Sequence, residues 1–363
     1  MGDALRIGIV GVGNVSLQYL DTLPRLDGVR VTAVADLVAG RAAEVATGDM
    51  RATTMDGLYT AGDVDLVLNL TVPQAHADVA LAAIAGGKHV YNEKPLALTT
   101  ADGRRVLDAA AARGVRVGCA PDTVLGTGLQ TARHHLDAGA IGTPVAATAF
   151  MVSAGPERWH PAPEFFYRTG GGPLLDMGPY YLTALVTLLG PVRRVAGMAA
   201  TPRATRTIGS GPLRGTEFPV QVPTHVTGTL EHASGAVSTL LMSFDVQAAT
   251  LPRIEVYGTG GSLSVPDPNG FGGPVRLFQV DSPEWTETPD AAGYAAAGRG
   301  CGIADLAYAL ADGTPHRASG ELALHVLDVM ESLLRAAAGG RTEPVTTDCA
   351  RPDPVGRVTV SGA

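Results

Sequence analysis

Along the first third of the chain, apolar residues fall in short unbroken runs at residues 6–10, 29–35, 65–70, 89–91 and 115–119, rich in Val, Leu and Ile and without polar alternation. Such runs suit strands buried on both faces of a parallel sheet. Between them, residues 17–23, 41–46, 74–85 and 100–113 place apolar positions at helical spacing. The β-α-β alternation predicts a doubly wound Rossmann domain over residues 1–120. Past that point the period changes. Residues 130–138 and 174–189 read as helices, and strands follow at 145–152, 224–232, 236–244, 253–257 and 262–265. Ala233-Ser234-Gly235 and Gly258-Thr259-Gly260-Gly261 carry hairpin turn chemistry. An amphipathic helix is predicted over 319–338, with Ser319 as N-cap and Gly339-Gly340 past its end. The second domain, 121–340, is thus expected to be α+β with a mainly antiparallel sheet, and 341–363 a peripheral tail. The Gly/Pro-rich segment 203–219 reads as a mobile loop.

Composition narrows the function classes. With 363 residues, 45% hydrophobic and 17% charged, the chain is long enough for two cores. A formal net charge of -8 and the lack of any basic run argue against a nucleic-acid partner. No apolar stretch approaches the roughly 20 residues of a membrane helix. The first strand also starts too near the terminus for a signal peptide, so a cytoplasmic location is expected. Cys119, Cys301 and Cys349 are odd in number and widely spaced, which reads as packing in a reducing compartment. No His, Cys or acidic cluster has metal-ligand spacing, so no metal is expected. Of 27 basic residues only Lys88 and Lys94 are lysine. Lysine supplies a compact charge and a pKa that moves on burial, which guanidinium does not. Lys88, in a Gly-Gly-Lys turn, is read as an accident of sampling, and Lys94 as meaningful.

The turn Gly11-Val12-Gly13-Asn14-Val15-Ser16 follows the first strand directly and opens a helix. Its backbone N–H groups suit a pyrophosphate, with Gly11 and Gly13 permitting close approach and Ser16 standing where a third glycine is usual. Asp36, at the end of the second strand, is placed to accept hydrogen bonds from the adenosine ribose and to repel a 2'-phosphate. NAD is favoured, and Arg41 nearby leaves room for NADP.

Five pieces in order, Gly11 to Ser16, Asp36, Thr71-Val72-Pro73-Gln74-Ala75-His76, Glu93-Lys94-Pro95 and Gly170-Gly171-Gly172-Pro173-Leu174-Leu175-Asp176-Met177-Gly178-Pro179-Tyr180, resemble the glucose-fructose oxidoreductase, inositol dehydrogenase and rhizopine-catabolism (Gfo/Idh/MocA) family. The resemblance implies a Rossmann domain followed by an open-sheet domain whose face forms a homodimer or homotetramer interface. It implies a sugar, cyclitol or related polyol substrate. It assigns cofactor binding to Gly11, Gly13, Asn14, Val15, Asp36, Thr71, Pro73, His76, Glu93 and Lys94, and catalysis to Lys94, Asp176 and Tyr180.

The same catalytic set follows from the chemistry. Moving hydride from a secondary alcohol to nicotinamide requires a donor for the developing alkoxide and a group that takes the proton. Lys94 follows a predicted strand at the carboxyl edge of the sheet, where open α/β folds bind ligands. A cis Lys94-Pro95 bond is expected. Asp176 and Tyr180 are four apart near a helix start, so both can face one site. Pro179 suggests that this helix begins near Asp176, which gives Asp176 an N-cap role beside a catalytic one. Many family members carry histidine where this chain has Tyr180. A phenol of reference pKa about 10 works as a neutral-pH base only beside a cation such as Lys94, and otherwise donates a proton in carbonyl reduction.

Further candidates are His76, as a nicotinamide-side contact or a cap, Asp122 and Thr123, as substrate contacts or loop polars, and Trp159 and His160, as one wall of a sugar pocket. His225 reads as a satisfied strand residue. Two alternatives to a dehydrogenase are an NAD-dependent glycoside-cleaving enzyme and a non-catalytic dinucleotide-binding regulator.

Overall fold

The structure, a computed structural model, describes residues 4–360. Strands β1 (Leu5–Val10), β2 (Val29–Ala35), β3 (Arg51–Thr53), β4 (Leu66–Asn69), β5 (His89–Asn92) and β6 (Val117–Cys119) form one all-parallel sheet. Their order is β3-β2-β1-β4-β5-β6. Helices α1 (Ser16–Thr22), α2 (Arg41–Val45), α3 (Met55–Thr60), α4 (His76–Ala85) and α5 (Thr100–Arg113) alternate with them. The unbroken apolar runs are the buried strands: Ile7, Ile9, Leu66, Val67, Leu68 and Val90 are fully buried. The chain leaves β1 towards β2 and β3 on one side and returns to β4, β5 and β6 on the other, so β1 and β4 flank a topological switch point.

Helix α6 (Thr127–Asp137) leads into β7 (Pro144–Val152), α7 (Pro173–Leu189), β8 (Val192–Ala200), β9 (Thr205–Thr207), β10 (Glu217–Pro219), β11 (His225–His232), β12 (Val237–Ser243), β13 (Ile254–Gly258), β14 (Gly261–Val265), β15 (Val275–Gln279) and β16 (Ser282–Thr288). Nine strands make the second sheet, in the order β16-β15-β14-β13-β7-β12-β11-β8-β18, with β18 at Glu343–Pro344. Only its β12–β7 pairing is parallel. Strands β8, β15 and β16 have no counterpart in the sequence reading. A register shift opposite β8 and the full exposure of nearly all of β16 remove the alternation that would have marked them. Segment 203–219 is not a free loop. It forms the β9–β10 ribbon, with Ile208 and Phe218 buried and Phe218 packed against Tyr167.

The remaining elements are β17 (Gly293–Ala295), α8 (Cys301–Asp312), α9 (Gly320–Gly339) and β19 (Arg357–Thr359). The chain divides into two compact units. The first takes the described residues up to Gln130 together with Ala291–Leu327 and the chain from Pro352, and the second takes Thr131–Asp290 and Asp328–Arg351. This differs from the boundaries expected at 120 and 340. The reason is that α8, hidden in the sequence by Gly300 and Gly302, belongs with the Rossmann sheet. The tail is also less peripheral than expected. β18 pairs with β8 in the second unit, and β19 pairs with β17 in the first. The Asp328 carboxylate accepts the Thr346 and Thr347 N–H groups at 2.7 and 2.9 Å. No helix among the described residues is long and apolar enough to cross a membrane.

Candidate functional site

The glycine turn sits where β1 ends. Gly11 has φ +89°, and a Cβ there would lie 2.9 Å from the Leu70 carbonyl, so only glycine fits. Gly13 and Asn14 are exposed, and nothing lies within 4 Å of where a Gly13 Cβ would stand. Val15 occupies the N-cap position of α1. Ser16 is buried and its hydroxyl donates to the Gly13 carbonyl at 2.7 Å, which explains how the turn closes without a third glycine. Asp36 is bound to this turn. It accepts the Val12 N–H at 2.9 Å and the Val38 N–H at 2.8 Å, with the Arg41 guanidinium 3.9 Å away. Beside it runs a groove of about 760 Å³ lined by Leu37, Val38 and Tyr59 among others. A fixed carboxylate next to an open apolar groove and an uncrowded glycine fits the adenosine and pyrophosphate of a dinucleotide.

The neighbouring strands end on two asparagines that sequence reasoning missed. Asn69 and Asn92 are both fully buried. Asn69 Nδ2 donates to Asn92 Oδ1 at 3.0 Å and to the His76 carbonyl at 3.1 Å, while Asn69 Oδ1 accepts the Thr71 hydroxyl at 2.6 Å. Asn92 Nδ2 holds the Leu96 carbonyl at 3.0 Å. The repeated Asn at the last position of adjacent strands was the available signal. His76 joins the same two loops, its ring nitrogens lying 2.6 Å from the Pro95 carbonyl and 3.0 Å from the Thr71 carbonyl. It is 1% exposed, and burial pushes its pKa below the ordinary imidazole value. The ring is therefore a brace between the Thr71–Pro73 loop and the Lys94 loop.

Lys94 is half-buried, and the expected cis Lys94-Pro95 bond is present. Glu93 holds the Lys94 main chain: its Oε2 accepts the Lys94 N–H at 2.9 Å and its Oε1 the Tyr19 hydroxyl at 2.8 Å, with Arg299 Nη1 at 3.8 Å. Its carboxylate thus fixes the position of the Lys94 main chain. Tyr19 and Arg299 carried no sequence signal. Lys88 is no accident either, because its ammonium donates to the Ala61 and Val64 carbonyls at 2.6 and 2.8 Å.

Asp122 and Thr123, read as substrate contacts or loop polars, are 0% and 1% exposed. Asp122 Oδ2 accepts the Gly300 and Gly302 N–H groups at 2.7 and 3.0 Å and so holds the start of α8. Burial raises its pKa, opposed by those amides. Position at a strand end suggested the ligand edge, and the returning α8 covers it.

In the second unit, α7 starts at Pro173 behind Gly172, earlier than expected, and carries Pro179 inside it. Asp176 is consequently a first-turn acid rather than an N-cap, a position favoured by the helix dipole. Tyr180, one turn on, is 4% exposed. Trp159 is 66% exposed and packs edge-on to His160 at 5.5 Å. His225 Nδ1 lies 2.9 Å from the Ser243 hydroxyl, as expected for a satisfied strand histidine. The cysteines form no disulfide, with Cys119 and Cys301 buried.

The model of the oxidoreductase family with an NAD-binding Rossmann fold matches residues 5–120, and that of the GFO/IDH/MocA C-terminal domain matches residues 129–264. The chain belongs to the Gfo/Idh/MocA family, and its first domain is the NAD-binding Rossmann domain of that family. Inositol 2-dehydrogenase 3 of Saccharopolyspora erythraea is 37% identical over 44% of this chain and 48% of its own length. The chain therefore spans about half the length of the inositol dehydrogenases it matches. The 1,5-anhydro-D-fructose reductase of Ensifer adhaerens is 28% identical over 71% of this chain and 74% of its own. The fold is that of an NAD-binding oxidoreductase from Klebsiella pneumoniae, with TM-score 0.82 at 22% identity over 95% of this chain and all of that one.

Proposed function

We propose that the protein is an NAD-dependent oxidoreductase that moves hydride between nicotinamide and a secondary hydroxyl or carbonyl of a sugar, cyclitol or related polyol. The observation that carries this reading is the frame around Lys94. Glu93, His76 and Asn92 fix the backbone on both sides of one half-buried lysine at the carboxyl edge of the sheet. The relatives named above, an inositol dehydrogenase and an anhydrofructose reductase, are of this class.

The bound dinucleotide supplies a hydride acceptor in oxidation and a hydride donor in reduction. In this reading the Lys94 ammonium donates to the reacting oxygen and stabilises it as the hydroxyl proton leaves. Tyr180 exchanges that proton, and Asp176, one helical turn earlier, orients the pair. Asp36 repels a 2'-phosphate and so favours NAD over NADP, with Arg41 leaving some tolerance. We place the protein in the cytoplasm as a homodimer or homotetramer formed through the second sheet, whose Met198 is 77% exposed. Light scattering of the purified chain tests the assembly.

Incubation with NAD and a panel of inositols and sugars, followed by NADH absorbance and product analysis, tests the activity. Accumulating NADH with a ketone product is expected. Cleavage of a glycosidic bond with no net NADH would replace this reading by the elimination mechanism. Neither turnover nor cleavage across the panel would favour a dinucleotide-binding regulator.

A further inference from the structure

The proposed chemistry leaves one cluster of charge unused. A cavity of about 500 Å³, large enough for a monosaccharide, lies beside the β9–β10 ribbon of the second unit. Arg158, Arg203, Arg206 and Arg214 line it, against the single carboxylate of Glu157. In a chain of formal net charge -8, four guanidinium groups around one cavity run against the overall balance.

The four differ in what holds them. The Arg206 side chain is 1% exposed. Its Nη1 donates to Glu157 Oε1 at 2.8 Å and its Nη2 to Asp245 Oδ1 at 2.6 Å, and the guanidinium stands 5.2 Å from the Tyr167 ring centre. Asp245 also accepts from Arg203 at 3.0 Å and from the Thr224 hydroxyl at 2.5 Å. Glu157 and Asp245 are thereby committed to Arg206 and Arg203. Arg158 and Arg214 are exposed and make no ion pair with any described residue. Their backbone is nevertheless pinned. The Gly209 N–H donates to the Glu157 carbonyl at 2.7 Å, Ile208 is 1% exposed, and a Cβ on Gly211 would lie 2.6 Å from Pro161. Two cations are thus held at one cavity without a counter-charge, above a rigid ion-paired floor. The buried Arg206 Nε–H has no acceptor among the described residues either.

We propose that this cavity binds the anionic group, carboxylate or phosphate, of a sugar-sized ligand. Arg158 and Arg214 meet its oxygens, above a floor in which Arg203 and Arg206 are already paired with Asp245 and Glu157. Guanidinium is the residue chemistry for this task, because its planar fork matches two oxygens of a carboxylate or phosphate at once. The binding claim stands on the cavity alone and does not depend on the dehydrogenase reading above.

Titration calorimetry on the full chain with saturating NAD, using glucose 6-phosphate, gluconate and uncharged glucose as probes, tests the site. At least one anion should bind tenfold or more tightly than glucose, and its affinity should fall as salt is raised. The two anion arms tell phosphate from carboxylate. Arg158→Ala with Arg214→Ala should weaken the anion at least about tenfold and leave NAD affinity unchanged, while the double lysine variant should fall between. Equal binding of glucose and both anions, no binding of either anion, or wild-type anion affinity in the double alanine variant overturns the proposal. Because NADH formation is not read, a failed dehydrogenase assay with intact anion binding strikes only the functional reading.

Discussion

The cofactor edge of the first unit and the arginine cavity of the second fix their acids by different means. At the cofactor edge the carboxylates are held by backbone amides: Asp36 by Val12 and Val38, Asp122 by Gly300 and Gly302, Glu93 by Lys94. At the cavity they are held by side chains, Glu157 by Arg206 and the Tyr167 hydroxyl, Asp245 by Arg206, Arg203 and the Thr224 hydroxyl. An amide comes with the chain whatever side chain stands there, so the first arrangement survives most substitutions around it. The second depends on side chains, and on Arg206 above all, the one group that both buried acids share.

Four changes probe that contrast, beginning with the largest effect. Lys94→Ala should lower kcat by about 10²–10⁴, the range typical for a positioned acid-base group. NAD affinity should stay within a few-fold, because Asp36 and the glycine turn keep their amide contacts. A large loss of NAD affinity in a kinetic and binding comparison would mean that Lys94 holds the cofactor more than it serves the chemistry. Arg206→Ala should destabilise the second unit by about 3–5 kcal/mol, the usual result of stripping one partner from a buried charge cluster. Chemical denaturation checks this, and a change near zero would break the contrast. Asp36→Ala should weaken NAD roughly tenfold and narrow the preference over NADP, on the scale of about 1.5–3 kcal/mol for hydrogen bonds to a charged group. The fold should be kept, since the turn retains its Ser16 to Gly13 hydrogen bond and the Gly11 N–H bond to Ala35.

The smallest effect is on pH. Burial holds His76, His89 and His316 of the first unit below the ordinary imidazole value, and in the second unit the same holds for His135. A depressed imidazole pKa means the unfolded chain takes up a proton that the folded chain refuses. The stabilisation is therefore complete above about pH 6.5 and is lost as pH falls from there towards the folded-state values. Thermal unfolding followed separately for each unit should show the first losing more stability between about pH 7 and pH 5.5. Equal losses would mean that the buried histidines do not set the difference.

What the sequence revealed follows the same division. The glycine turn, Asp36, Lys94-Pro95 and the parallel strands were legible because each depends on offsets within one strand-turn-helix passage. The Asn69–Asn92 brace escaped because its partners are 23 positions apart on separate strands. The Arg206 network escaped for the same reason, with separations of 49 and 39 positions to Glu157 and Asp245. There, a buried ion cluster looked like a loose Gly/Pro-rich loop. Asp122 was left between substrate contact and structural polar because α8, which covers it, returns from 178 positions further on behind a glycine. At α7, the three glycines before Pro173 start the helix earlier than Pro179 suggested, which moved Asp176 from the cap into the first turn.

The central claim is that hydride reaches the cofactor held at the glycine turn while Lys94 and Tyr180 handle the proton. Its most direct test uses polyols deuterated at the carbinol carbon, with the cofactor analysed by mass spectrometry after a single turnover. Deuterium should appear on the nicotinamide one-for-one with the ketone, at a rate sharply reduced in Tyr180→Phe. A cofactor free of deuterium, or a Tyr180→Phe variant that transfers it at the wild-type rate, would contradict the account.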